Sequence, residues 1–233
     1  MKKIINIILI LIIGFIGGLS ADIILPYLGY IDKTKPVIVN KTEQIIISES
    51  EAPQKAIDKI SPSLVLVEVY NNKFLIKQGT GIILTSDGLV ATALDLLGKN
   101  YDQIKVIQPE AETEAQVIKK DSKNNLALLK IEKNNLAVAS TSDLEEIGLG
   151  QTIILVGLEK NEKDNKLYKL INLGSVRGIK PDTLEINLEE KNLAANGGPL
   201  LNIKGEVIGL SLINQQGLYK IIPSNIVKEM LSQ

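Results

Sequence analysis

Between Ser63 and Ile222 the chain is a succession of short β-prone runs broken by turn residues. That spacing is the pattern of an all-β barrel or sandwich, in which each run buries a face and then reverses. Runs at 64–69, 82–84, 89–92, 104–107, 115–118 and 126–131 form one group. Runs at 152–156, 168–173, 175–178, 184–186, 200–203, 207–212 and 218–222 form a second. The expected architecture is therefore two β-barrels in tandem, over 63–135 and 147–222. Asp87-Gly88 supplies the turn that a hairpin needs between 82–84 and 89–92. With 233 residues, 45% of them hydrophobic, the chain is long enough to bury one or two sizeable cores.

Flanking segments change character. Met1-Lys2-Lys3 precedes a mostly apolar run up to Tyr30, interrupted by Asp22. Such a run suits a transmembrane helix with a cytoplasmic N-terminus, since the lysines mark the inner side and Tyr27 and Tyr30 the outer interface. Residues 1–31 are therefore expected to anchor the chain in the cytoplasmic membrane as a single pass, with the body extracytoplasmic. The rival reading is a signal peptide cleaved near Gly18-Leu19-Ser20, which would release a secreted domain. Residues 32–53, rich in Lys, Thr, Glu and Ser, read as a spacer. A short amphipathic helix is expected at 54–60 and a closing helix at 223–232, after the proline.

Two absences exclude whole classes of chemistry. The chain has no cysteine and no histidine. No disulfide, thiolate metal site or Cys/His zinc site can form, and no imidazole is present to serve as a general base. No metal or other cofactor is expected. A net charge of −1 gives no reason to expect nucleic acid as a partner.

Four stretches carry a family resemblance. They are Gly79-Thr80-Gly81 through Ser86-Asp87-Gly88 to Thr92, residues 115–121 with 126–130, Leu193-Ala194-Ala195-Asn196-Gly197-Gly198-Pro199-Leu200 running on to Gly209, and Ile221-Ile222-Pro223-Ser224-Asn225. In this order they resemble the trypsin-like serine proteases of the HtrA (Deg) type. The resemblance implies a double β-barrel of the chymotrypsin/trypsin type over residues 54–233. The chain ends too soon after it for the PDZ domain that many such proteases append.

The resemblance also locates the expected site, and the residues there differ from the family's. Asn196 stands at the nucleophile serine, Asp95 at the histidine and Asn125 at the aspartate. Ala194 stands at the glycine that, with the residue at the nucleophile position, would form the oxyanion hole. Acyl transfer needs a nucleophile activated by a base. An amide is a poor nucleophile, and a carboxylate of reference pKa ~3.9 is a weak base for a hydroxyl. The expectation is an inactive homologue in which Asp95, Asn125 and Asn196 form a hydrogen-bonded cluster. Leu210, Ser211 and Leu212 match the strand that pairs with substrate in the family, so they are expected to hold extended peptides or unfolded proteins by main-chain hydrogen bonds. A homo- or hetero-oligomer with active relatives is a further expected association. The alternative is an active endopeptidase with a relocated Ser/Thr-Lys pair, for which Ser211 and Lys191 are candidates.

Overall fold

The computed structural model describes residues 2–27, 51–188, 193–214 and 216–231. The chain divides into two units, residues 1–46 and 47–233. In the first, α1 (Lys2–Tyr27) is helical, and its described apolar side chains between Ile5 and Ile16 are exposed. Among the described residues no helix is long and apolar enough to cross a membrane. The side chains of residues 19–27 and residues 32–50 of the spacer expected over 32–53 lie outside the described residues.

The second unit opens with α2 (Glu51–Ile60), three residues earlier than the pattern predicts, and it buries Ala52, Ala56 and Ile60. Twelve strands follow among the described residues: β1 (Leu64–Asn71), β2 (Phe74–Ile83), β3 (Leu89–Ala93), β4 (Gln103–Gln108), β5 (Ala111–Asp121), β6 (Leu126–Ile131), β7 (Thr152–Lys160), β8 (Leu167–Lys180), β9 (Thr183–Leu188), β10 (Pro199–Asn202), β11 (Val207–Ile213) and β12 (Tyr219–Pro223), before α3 (Ser224–Glu229). They close into two antiparallel barrels, ordered β1-β2-β3-β6-β5-β4 and β10-β11-β12-β9-β8-β7. The tandem double barrel expected from the spacing is therefore the fold. The second group holds six strands rather than seven, because 168–173 and 175–178 are one long strand, β8.

Strand β1 shows why its sequence reads as a continuous apolar run. Val65, Val67 and Val69 fill the first barrel, while Leu64 and Leu66 face the second and pack with Ile154, Val156, Leu210 and Leu212. Both faces are buried, so simple alternation of apolar and polar residues disappears. Glu68 is on the same face as Leu64 and Leu66, and it is buried as well. Its carboxylate accepts from the Tyr70 hydroxyl at 2.6 Å and lies 4.0 Å from the Lys160 ammonium of β7. Burial, and then the bond to Glu68, push the Tyr70 hydroxyl well above the usual phenol range.

The predicted Asp-Gly reversal forms. Gly88 has φ +102°, its N–H reaches Thr85 O at 3.1 Å, and Leu84 N–H closes on Leu89 O at 2.8 Å. A side chain at residue 88 would meet the Ile131 carbonyl at 2.3 Å, so glycine is required there for space as well as for conformation.

Candidate functional site

The site is built from the end of β3, the start of β6 and the loop before β10, which meet between the barrels. After β3 the chain tightens into a 3-10 turn at Leu94–Leu96 that carries Asp95. Leu94 N–H donates to the Asn125 carbonyl at 2.9 Å. Asn125 has φ +56°, a left-handed conformation that asparagine tolerates better than most residues, and it directly precedes β6. The Lys77 ammonium, on β2, donates to the Asp95 backbone carbonyl.

On the other side a second 3-10 turn, Leu193–Ala195, leads into Asn196. Thr80 of β2 binds this loop to the first barrel. Its N–H donates to Asn196 O at 2.8 Å and its hydroxyl donates to Ala194 O at 2.7 Å. The same hydroxyl accepts Leu158 N–H at 2.7 Å, and the Thr80 carbonyl accepts the Thr92 hydroxyl at 2.7 Å. One threonine thus joins β3, β7 and the loop.

Asn196 is held at both ends of its amide. Its Nδ2 donates to Asp95 Oδ1 at 3.0 Å, and its Oδ1 accepts Ile213 N–H, on β11, at 2.9 Å. The expected contact between Asp95 and Asn196 is present. Asn125 contributes its carbonyl to the neighbouring Leu94 and no side-chain hydrogen bond to Asp95 or Asn196, so the three do not form one side-chain cluster. Asp95 and Asn125 line a common cavity of about 290 Å³ with Leu212, Ile213 and Tyr219.

Of the two positions expected to form an oxyanion hole, Ala194 and Asn196, the second closes a turn on itself, while the Ala194 carbonyl is held by the Thr80 hydroxyl. Asn196 N–H donates to Leu193 O at 3.2 Å, and Gly198 N–H donates to Ala195 O at 2.8 Å. An oxyanion hole needs N–H donors aimed at the place where charge develops. The Asn196 donor is spent within its own turn.

The expected peptide-binding strand is also occupied along most of its length. Ser211 N–H donates to Gly198 O at 2.9 Å and Ser211 O accepts Gly197 N–H at 2.7 Å. Leu210 and Leu212 pair with Ile222 and Lys220 of β12. Because backbone groups alternate sides along a strand, Ile213 presents its N–H on the same side as Ser211. The edge an added strand would meet therefore lies at Ile213 rather than at Leu210, Ser211 and Leu212, and Asn196 Oδ1 already occupies its N–H. Ile213 and Thr80 were not singled out in the sequence. The only sign of Thr80 was its position between Gly79 and Gly81, which marks a close approach of chains.

Ser211, a candidate for a relocated nucleophile, is fully buried, and its hydroxyl donates to the carbonyls of Ala195 and Gly198. Lys191 lies outside the described residues. A lysine does bond to a serine elsewhere, Lys169 Nζ to Ser61 Oγ at 2.7 Å, on the exposed surface. Among the described residues no group of three or more acidic side chains is placed to hold a metal ion.

Comparison with known proteins agrees with the fold. The family described as trypsin-like peptidase domain matches residues 79–210. Serine protease HTRA1 of Xenopus tropicalis is 26% identical over 192 residues, covering 76% of this chain and 42% of that protein. A probable periplasmic serine endoprotease DegP-like of Pseudomonas putida (strain GB-1) is 30% identical over 137 residues, 57% of this chain and 28% of that protein. Serine protease HTRA4 of Homo sapiens is 28% identical over 192 residues, covering 76% of this chain and 40% of that protein. The chain thus spans less than half the length of each of these relatives.

Proposed function

This chain belongs to the trypsin-like peptidase domain family, and from that premise we propose that it is a non-catalytic member, a membrane-attached module that holds extended peptide or protein segments without cleaving them. The observation that carries the reading is the Asn196 amide, bonded at 3.0 Å to Asp95 and at 2.9 Å to Ile213 N–H where a peptidase of this fold presents its nucleophile. The chain supplies no histidine to act as base, and the Asn196 N–H is turned away from any oxyanion. The exposed apolar side chains of α1 support attachment at the cytoplasmic membrane, and Lys2 and Lys3 ahead of them favour a cytoplasmic N-terminus with the barrels outside.

Capture follows from main-chain geometry. An incoming strand carbonyl takes the Ile213 N–H, and Asn196 Oδ1 gives it up. Binding is consequently weak, since each new hydrogen bond replaces an old one. The test is an array of extended peptides probed with the full chain and with Asn196→Ala. Binding by the parent, and about tenfold tighter binding by the variant, is expected from the free edge donor. No binding by either protein would reject capture at this edge.

A further inference from the structure

The β1–β2 ribbon ends in an apolar tip that the barrel does not use. Phe74 is 76% exposed, Leu75 47% and Ile76 42%, whereas from Gly79 onward β2 is buried. Successive strand residues point to opposite faces, so Phe74 and Leu75 expose apolar surface on both sides of the ribbon. Pairing steps from Tyr70↔Leu75 to Val69↔Lys77, which makes Ile76 the extra residue of a β-bulge.

The tip is held in place. Asn72 and Lys73 form the reversal with φ +50° and +69°, the left-handed pair of a tight hairpin. Asn72 N–H donates to Asp102 Oδ2 at 2.7 Å, and Asp102 N–H donates to Tyr70 O at 3.0 Å. The apolar side chains are thus presented on a braced ribbon.

We propose that residues Phe74–Ile76 dip into the surface of an anionic lipid membrane. The inference rests on the membrane attachment stated above and extends it to the barrel unit. A docked protein ordinarily covers one face of a ribbon, whereas a fluid apolar phase surrounds both. Lys73 directly precedes the apolar triad, and exposed Lys99 belongs to the loop that Asp102 ties to the ribbon; these two cations complement anionic headgroups, while Lys77 beyond the triad turns its ammonium to the Asp95 carbonyl. Asp102 is the opposing charge, and one of its oxygens is engaged by the Asn72 N–H.

The chain contains no tryptophan, so Phe74→Trp in the full chain places a single reporter at the tip. The variant is reconstituted with vesicles of phosphatidylcholine and phosphatidylglycerol carrying brominated acyl chains. Vesicle flotation reads attachment; tryptophan emission reads the tip. Flotation with blue-shifted, bromine-quenched emission supports the proposal, with quenching weakened roughly tenfold by Lys73→Glu on anionic vesicles. Flotation with solvent-like, unquenched emission overturns the lipid contact and leaves attachment standing. Failure to float, with no quenching, removes both. A blue shift without lipid that grows with protein concentration assigns the ribbon to a second copy of the chain and overturns the proposal.

Discussion

Gly197→Ala is expected to cost about 3–5 kcal/mol of folding stability, from the left-handed backbone and the overpacking together. Gly197 has φ +78°, and a Cβ there would sit 2.3 Å from Thr80 O, 2.4 Å from the Thr92 hydroxyl and 2.8 Å from Ala93 N. These atoms belong to the junction of the barrels, so none is the free end of a flexible side chain. The methyl group must break either the Thr92–Thr80 bond or the Gly197–Ser211 bond, and Asn196 moves with it. Denaturant unfolding followed by circular dichroism reads the effect as a large fall in midpoint with little change in slope. An unchanged midpoint would mean that the loop is not packed against β2 and β3 as described.

The second large effect is expected from Asn196→Asp, which keeps the shape of the side chain and replaces the donor to Asp95 with a second carboxylate. The contact with Ile213 N–H survives, because a carboxylate oxygen accepts as an amide oxygen does. Opposite Asp95 the new group meets a like charge at hydrogen-bond distance, and one of the two carboxyls is forced to hold its proton to higher pH. The sign follows from the raised folded-state pKa. The penalty is absent below the unfolded carboxyl value of ~3.9 and grows as pH rises through the raised folded value. At pH 7 the variant is expected to lose about 2–3 kcal/mol, and near pH 4 to approach the parent. Equal loss at both pH values would show that Asp95 and residue 196 do not face each other.

Much of this fold was legible because its strands are short and well punctuated. β6 has the bounds that its apolar run suggests, with Asn125 at one end and a polar loop at the other. The apolar pattern of β8 splits in two because Gly174 interrupts it. In the structure that glycine lies against Asn187 O, where a Cβ would come within 2.1 Å, so its role is close strand pairing. The outer half of β2 leaves no mark in the sequence because a ribbon exposed on both faces has no apolar–polar alternation.

The site was legible only in part, for a related reason. Residue matching brought Asp95 and Asn196 together, and they do hydrogen-bond. It could not show that the other end of the Asn196 amide takes Ile213 N–H, since that depends on which way the backbone of β11 faces after Ser211. Nor could it show that Asn125 acts through its carbonyl, a consequence of its left-handed φ. Side-chain identities locate a site of this kind, but backbone direction decides what the residues do there.

The most direct measurement is mass-spectrometric detection of new peptide termini in an unfolded-protein mixture incubated with the purified full chain, beside an Asn196→Ala control. A non-catalytic module predicts no termini above background in either sample. Cleavage by the parent and not by the control would contradict the account by placing Asn196 in the chemistry. Equal cleavage by both, persisting through repurification, would contradict it by placing a nucleophile elsewhere in the chain.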